Sequence, residues 1–300
     1  MPAPSAPPAP RDPPAAAPPA PAPRWALVRL TRPRQWIKNA LVLAPVVFAD
    51  LARDGDAVGK AVVAALLFTL ASAAVYVLND LADVEGDRLH PRKRHARPVA
   101  AGWVSVRAAR NLGLALAACV LAGMLLRPAL APVLAVFAVL NVAYSLGLKR
   151  VPVVDVLCVA AGYLLRVYGG AVAVDVPLSG WMAATTLSLS VFLVAGKRAV
   201  ELAGSGAAGR AVLGGYAARP LALTAQMAAV ASLVCYAAYV LLVRPALLVT
   251  IPLVAFGLAR YGWLVYARGL GESPEDALWD DRPLLATVVL WAVACVVLVG

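Results

Sequence analysis

Long apolar runs, broken at intervals by clusters of charge, organise this chain. Runs of roughly 17 to 25 residues, enough to cross a hydrocarbon core of ~30 Å as helices, fall at 35–52, 61–80, 108–126, 129–147, 151–172, 181–197, 221–243, 246–266 and 283–300. The pattern predicts an all-α membrane protein with about nine transmembrane helices. Ahead of the runs, residues 1–23 repeat Pro and Ala without apolar periodicity, which predicts a disordered tail, in part polyproline II. No apolar segment follows a basic start there, so the tail does not read as a signal peptide. The expected division is a tail at 1–23 and one polytopic domain at 24–300.

Composition agrees. Of 300 residues 62% are hydrophobic and 14% charged, with a mean hydropathy of +0.80, more apolar material than the core of a soluble domain this size needs. The formal charge of +11 is unevenly placed. Arg24, Arg29, Arg32, Arg34 and Lys38 precede or open the first run, and Arg88, Arg92, Lys93, Arg94, Arg97, Arg107 and Arg110 follow the second. Lys149 and Arg150 follow the fourth, Lys197, Arg198, Arg210 and Arg219 the sixth, and Arg268 and Arg282 the eighth, whereas the alternate connections hold only Arg53, Lys60, Arg127 and Arg244. The positive-inside rule then places the N-terminus and every basic connection in the cytoplasm of a multi-pass plasma-membrane protein. The excess charge is accounted for by that face and the bilayer beside it, with no nucleic acid as partner. Cys119, Cys158, Cys235 and Cys295 all lie inside apolar runs, as small buried hydrophobes do. His90 and His95 share one loop, so any metal here must prefer oxygen donors.

The second run ends in "NDLADVEGDR", residues 79–88, and topology alone does not ask for carboxylates on a basic face. On a continuing helix Asn79, Asp83 and Asp87 are spaced i, i+4, i+8 and form one stripe, with neighbours ~5 to 6 Å apart at Cβ. Asp80 lies beside them, and Glu85 falls off the stripe. Adjacent like charges ionise together only with a compensating cation. Oxygen donors suit Mg²⁺, which commonly takes one or two carboxylates plus substrate phosphates. Residues 61–78 make ~27 Å of helix, so Asn79 emerges at the cytoplasmic interface. The expected metal set is Asn79, Asp80, Asp83 and Asp87, with Mg²⁺ as cofactor. A solvated helix end has similar composition, but this one runs directly into a basic segment suited to phosphates.

Other connections on that face supply matching groups. Lys38 and Asn39 open the first run with Trp36 at interface depth, Tyr144 and Lys149 close the fourth, and Lys197 and Glu201 close the sixth at i, i+4. With Arg94 and Arg97 these are the expected substrate-binding residues; Asp80, Asp83, Asp87 and Lys197 are the expected catalytic ones. Singly each could be an interfacial anchor, but they converge on the face that holds the aspartates. Two features stay outside this site. "GESPED", residues 271–276, reads as a helix start with Ser273 as N-cap, Pro274 at N1 and Asp276 completing a capping box. Arg166 lies ~22 Å along its helix counted from residue 151, where it could snorkel toward the outer face.

The spacing Asn79-Asp80-x-x-Asp83-x-x-x-Asp87 at the end of a second span resembles the first aspartate-rich motif of the UbiA superfamily of intramembrane prenyltransferases. That resemblance implies about nine helices around a lateral, cytoplasm-facing cavity. Familiar members carry a second Asp-x-x-x-Asp motif after the sixth span, where this chain has Lys197, Arg198 and Glu201. The segments "RPRQWIKNALVLAP", "NDLADVEGDRLHPRKRHARPVAAG", "YSLGLKR", "LLRVYGG", "VAGKRAVEL" and "GESPED" are similar, in order, to the branch that phosphoribosylates decaprenyl phosphate, from about Arg29 to the end. The branch resemblance implies transfer of 5-phosphoribose from phosphoribosyl diphosphate (PRPP) to decaprenyl or another polyprenyl phosphate, with release of pyrophosphate, in synthesis of cell-wall arabinan precursors. Asp80, Asp83 and Asp87, with Asn79, would hold Mg²⁺. Lys38, Lys149, Lys197, Arg94 and Arg97 would grip phosphates, and Glu201 would hold Lys197 or a ribose hydroxyl. A UbiA-type transfer from an isoprenoid diphosphate to an aromatic acceptor is the alternative, and it calls for an aspartate pair near 197–205. A transporter calls for deep ionisable residues or an inverted repeat; a silent scaffold leaves the aspartates without a task. A homo-oligomer stays open.

Overall fold

The computed structural model describes residues 25–89, 93–205, 211–270 and 273–299. The expected tail, His90, Arg92, Arg210, Gly271 and Glu272 lie outside the described residues. All nine apolar runs fold as helix. Among the described residues eight give helical elements long and apolar enough to cross a membrane: α3 (Gly55–Ala82), α6 (Val106–Leu126), α7 (Ala131–Leu146, with the 3₁₀ turn Pro128–Leu130 before it), α8 (Val154–Ala173), α9 (Gly180–Ser205), α10 (Ala218–Leu242), α11 (Ile251–Arg268, with the 3₁₀ segment Pro245–Thr250 before it) and α13 (Arg282–Val299). The short helices α1 (Ala26–Leu30), α4 (Val84–Leu89), α5 (Lys93–Ala96) and α12 (Pro274–Asp280) all lie in basic connections or at the N-terminal approach.

The first run departs from the expected α-helix. It forms an 11-residue 3₁₀ helix, Pro33–Leu43, followed by the five-residue α2 (Ala44–Phe48). At ~2.0 Å per 3₁₀ residue and ~1.5 Å per α residue the two together still extend ~30 Å. The period of three decides which side chains face inward. Asn39 and Val42, three apart, are buried, whereas Arg34, Ile37 and Ala40 are exposed, so Lys38 and Asn39 leave the helix in different directions.

Helix starts follow local chemistry. The Asp54 carboxylate accepts from the backbone N–H of Asp56 at 2.9 Å and Ala57 at 3.3 Å at the head of α3, and Ser105 Oγ accepts from Ala108 N at 3.1 Å at the head of α6. Large apolar side chains such as Leu125, Val139, Met227 and Val297 point outward, into what lipid would fill. The helix contacts are lined by small residues, as along α3, where Ala57, Ala61, Ala64, Ala71, Ser72 and Ala73 are buried, because close backbone approach is what holds helices together in hydrocarbon.

The closest such approach sets the geometry of the site. A Cβ on Gly170 would lie 2.0 Å from the carbonyl oxygen of Val42, and one on Gly169 would lie 2.3 Å from the Phe68 ring. The two glycines therefore seat α8 against the 3₁₀ helix on one side and α3 on the other.

Candidate active site

Two polar centres form at the end of the bundle that carries the basic connections. The first is built on the acidic motif. α3 stops at Ala82, Asp83 caps it, and α4 starts at Val84, so the expected unbroken stripe through Asn79, Asp83 and Asp87 is corrected. Instead Asp80 and Asp87, seven residues or nearly two turns apart, are both buried, while the Asp83 side chain is 52% exposed. Arg32 Nη2 donates to Asp80 Oδ1 at 2.7 Å, and Arg97 binds the same oxygen and lies 4.0 Å from Asp87 Oδ2. Lys149 Nζ stands 3.6 Å from Asp83 Oδ2. Arg97 is brought back to α3 by the turn at 97–104, pinned by Val99 and Val104 packing with Val77, Leu30 and Ala109. Arg32 adopts a left-handed backbone conformation, φ 53°. A non-glycine residue pays for that conformation with roughly 1–3 kcal/mol, here offset by its bond to Asp80 and its stacking 4.8 Å over the Tyr76 ring.

The second centre surrounds the end of α9. Arg198 donates from Nε to Asp155 Oδ2 at 2.6 Å, from Nη1 to Glu201 Oε2 at 2.6 Å and from Nη2 to Tyr144 Oη at 3.2 Å. The Tyr216 hydroxyl donates to the other oxygen of Asp155 and accepts from the backbone N–H of Val153. Burial first, and then the bond to Asp155, push the Tyr216 phenol up to about 12, so it remains a donor. Arg198 thereby fixes Glu201, whose Oε1 faces Lys197 Nζ at 4.0 Å.

Lys38 joins these centres through α12. Its ammonium lies 2.5 Å from Glu275 Oε1 and 5.9 Å from the Tyr163 ring centroid. Burial opposes ionisation of Glu275, but the charge and hydrogen bond of Lys38, a backbone N–H and the charge of Lys197 together outweigh it and hold the carboxyl below the ordinary glutamate range. Helix α12 begins at Pro274 as expected, with Ser273 before it, but the expected capping box is absent. Ser273 Oγ donates to Glu275 Oε2 at 3.2 Å, and Asp276 accepts from Arg34 at 2.8 Å. The acidic segment is a latch on the 3₁₀ helix.

Of the expected site residues, Asp80, Asp83, Asp87, Arg97 and Lys149 meet in the first centre, and Tyr144, Lys197, Glu201 and Lys38 in or beside the second. Two do not arrive. Asn39 is turned into the bundle, accepting from Arg166 Nε at 2.8 Å and donating to Thr69 Oγ1 at 3.0 Å. Arg94 is exposed and donates to His95. Arg166 does not snorkel. It is buried, with Gly162 and Ser72 as its other acceptors and the Phe137 ring 4.7 Å below it, because the Gly169–Gly170 contact brings Asn39 within its reach. The residues that sequence reasoning missed are Arg32, Asp155, Arg198, Tyr216 and Glu275. Asp155, an acid at the head of an apolar helix, and Glu275, in the acidic segment 271–276, had a local signal.

The donor set bears on a metal. No group of three or more His, Cys, Asp or Glu among the described residues converges tightly enough to hold an ion, and two guanidinium groups already share one oxygen of Asp80. The acids gathered here, Asp80, Asp83 and Asp87, are hard oxygen donors, and their chemistry suits a small divalent cation that takes most of its shell from substrate phosphate oxygens and water rather than an all-protein cage.

Known proteins share both fold and sequence. The chain matches the UbiA prenyltransferase family over residues 42–280. It is 37% identical over 280 residues to a decaprenyl-phosphate phosphoribosyltransferase of Mycobacterium tuberculosis, covering 88% of this chain and 91% of that one. It is 36% identical over 289 residues to the protein of the same name from Mycolicibacterium smegmatis, covering 88% and 89%. The fold superposes on a UbiA homolog from Archaeoglobus fulgidus bound to GPP and Mg²⁺ with a TM-score of 0.71 at 21% identity, over 91% of this chain and 99% of that one. With the match running from the 3₁₀ helix to α12, this chain belongs to the UbiA prenyltransferase family.

Proposed function

We propose that the protein transfers the 5-phosphoribosyl group of PRPP to decaprenyl phosphate at the cytoplasmic face of the plasma membrane, releasing pyrophosphate, as a step toward cell-wall arabinan precursors. The observation that carries this reading is the end of α9. A transfer from an isoprenoid diphosphate calls there for a second aspartate pair; Arg198 occupies that place, locked to Asp155 and Glu201 at 2.6 Å each. That half of the site is built to hold anions through Lys197, and among the described residues its carboxylates, Asp155 and Glu201, are engaged by Arg198 rather than open to a second cation. The names of the mycobacterial relatives point the same way.

The chemistry suits the groups present. A phosphate monoester with a second pKa near ~6 is already anionic at neutral pH, so it needs no protein base. Its oxygen forms the bond to C1 of the ribose as the bond from C1 to pyrophosphate breaks, and the electron pair leaves with pyrophosphate. The slow part is charge separation at that carbon, as in other glycosyl transfers. A divalent cation, Mg²⁺, held by Asp83, Asp87 and Asp80 with Asn79 close by would supply charge neutralisation for the departing diphosphate. Arg97 and Arg32 hold Asp80 and Asp87 in place, Lys149 flanks Asp83, and Lys38 and Lys197 bind phosphate oxygens across from them. The acceptor's apolar chain stays in lipid while its phosphate sits at interface depth.

The direct test incubates purified protein with decaprenyl phosphate and PRPP labelled in the ribose, with and without Mg²⁺. Label is expected in the lipid phase, dependent on the cation, and Asp83→Ala and Asp87→Ala are each expected to lower the rate at least about 100-fold while the proteins still insert. Label absent from the lipid phase under every condition overturns the reading.

A further inference from the structure

Beneath the two centres lies a polar group that the transfer reading uses only through its lysines. Tyr163 stands between two cations, Lys38 and Arg166, each 5.9 Å from its ring centroid. Glu275 meets Lys38 at 2.5 Å and also feels the charge of Lys197. Tyr261 of α11 closes the group. It is 4% exposed, its ring meets Phe192 edge to face at 5.4 Å, and it packs in one buried cluster with Ala277 of α12, two residues on from Glu275, and against Gly196, next to Lys197. Among the described residues its hydroxyl is the buried side-chain polar atom that has no hydrogen-bond partner. Buried polar groups are nearly always bonded, and phenylalanine would fill the same space, so the hydroxyl points to a partner that comes and goes.

The chemistry of these groups narrows the partner. An ionised carboxylate only accepts, so Glu275 repels phosphate and takes hydroxyl groups; a tyrosine hydroxyl both donates and accepts. Lys38 and Ser273 occupy part of the roughly four lone-pair positions of Glu275, leaving room for a further donor. A ligand that offers hydroxyls to Glu275 and Tyr261 and phosphates to Lys38 and Lys197 is a phosphorylated sugar. We propose that Tyr261 and Glu275 read the ribose hydroxyls of the donor. This rests on the phosphoribosyl reading above and adds to it the side of the site, under α12, at which the sugar is held.

The test uses the full chain in detergent and three probes, PRPP, ribose 5-phosphate and inorganic pyrophosphate, with binding followed by calorimetry and by thermal shift. Tyr261→Phe removes one hydroxyl and no protein hydrogen bond, so its unliganded midpoint should match or exceed that of wild type. Its affinity for PRPP and for ribose 5-phosphate should fall roughly 3- to 10-fold, with pyrophosphate affinity unchanged. From the ligand side, 2-deoxyribose 5-phosphate and 3-deoxyribose 5-phosphate should show, for at least one of them, weaker binding than ribose 5-phosphate in wild type and a smaller gap in the variant. Unchanged sugar-phosphate affinity in Tyr261→Phe, or an equal loss for pyrophosphate, overturns the sugar subsite and leaves the transfer reading standing. Tyr261-dependent binding of ribose 5-phosphate by a protein that transfers no label keeps the subsite and removes the transfer reading. Failure of wild type to bind either sugar phosphate removes both.

Discussion

Arg198 has carboxylate partners on two helices and a tyrosine on a third, and its side chain is 2% exposed against 0% for Asp155. Such a pair is held at the expense of desolvation, and its removal from one side alone is what hurts. Arg198→Met is therefore expected to destabilise the protein by roughly 3 kcal/mol, because Asp155 stays buried with Tyr216 as its remaining partner. Asp155→Leu combined with Arg198→Met should recover much of the loss of thermal midpoint, and strictly additive losses in that double-mutant cycle would show that the two side chains are not coupled. Glu275 gives a prediction in pH. Its folded pKa lies below the ordinary value, so its contribution is present above the unfolded pKa of about 4.3 and is lost as pH falls through the lower, folded value. The difference in midpoint between wild type and Glu275→Gln should be full near neutrality and should close on acidification below about 4.3; a difference that widens toward acid has the wrong sign for this pair.

At the scale of elements, the contact between α8 and the 3₁₀ helix decides where Arg166, Asn39 and Lys38 point. Gly170 is irreplaceable there because its neighbour is backbone, the Val42 carbonyl at 2.0 Å from any added Cβ, and backbone cannot rotate away as a side chain can. Gly162, one helix face over, has only the tip of Arg166 at 3.6 Å. Gly170→Ala is expected to lower both thermal midpoint and transfer activity, whereas Gly162→Ala should be neutral or gain up to about 1 kcal/mol from helix propensity. Midpoints that move equally in the two variants would mean that close packing is not what this contact supplies. The same contact explains why element type was hard to read. A hydrophobic run of this length marks a span, but whether it winds at 3.0 or 3.6 residues per turn depends on what packs beside it, and the run at 35–52 gave no sign of Gly170, over a hundred residues away.

For the whole molecule, charge asymmetry predicts a direction. By the positive-inside rule the end bearing both polar centres is expected on the cytoplasmic side. Since the native cysteines all lie in apolar segments, an impermeant thiol reagent on intact cells should label Asp56→Cys, at the far end of α3, and should label Glu85→Cys, on α4, only after the membrane is opened. The reverse pattern would invert the topology. How much of the site was legible also differs by distance along the chain. Asp80, Asp83, Asp87 and Lys149 could be named because helical spacing and the ends of apolar runs are local facts. Arg32 on Asp80 is 48 residues away, Arg198 on Asp155 is 43 and Arg34 on Asp276 is 242, and no local period carries information about such pairs. Asn39 and Arg166 were misplaced for the same reason, since each was read against its own helix and their partner was the other.

Sequence by itself therefore determined the solvent, the number of apolar runs and the presence of an acidic motif among basic connections, and it predicts the runs' sense across the membrane. Each of these follows from the cost of placing polar groups in hydrocarbon, which acts on every segment independently. Tertiary structure decided which charges neutralise one another, that Asp80 and Asp87 rather than a continuous stripe turn inward, and that α12 returns to meet Lys38. Those choices depend on which helices approach closely enough to exclude lipid and water, and that is a property of pairs of elements.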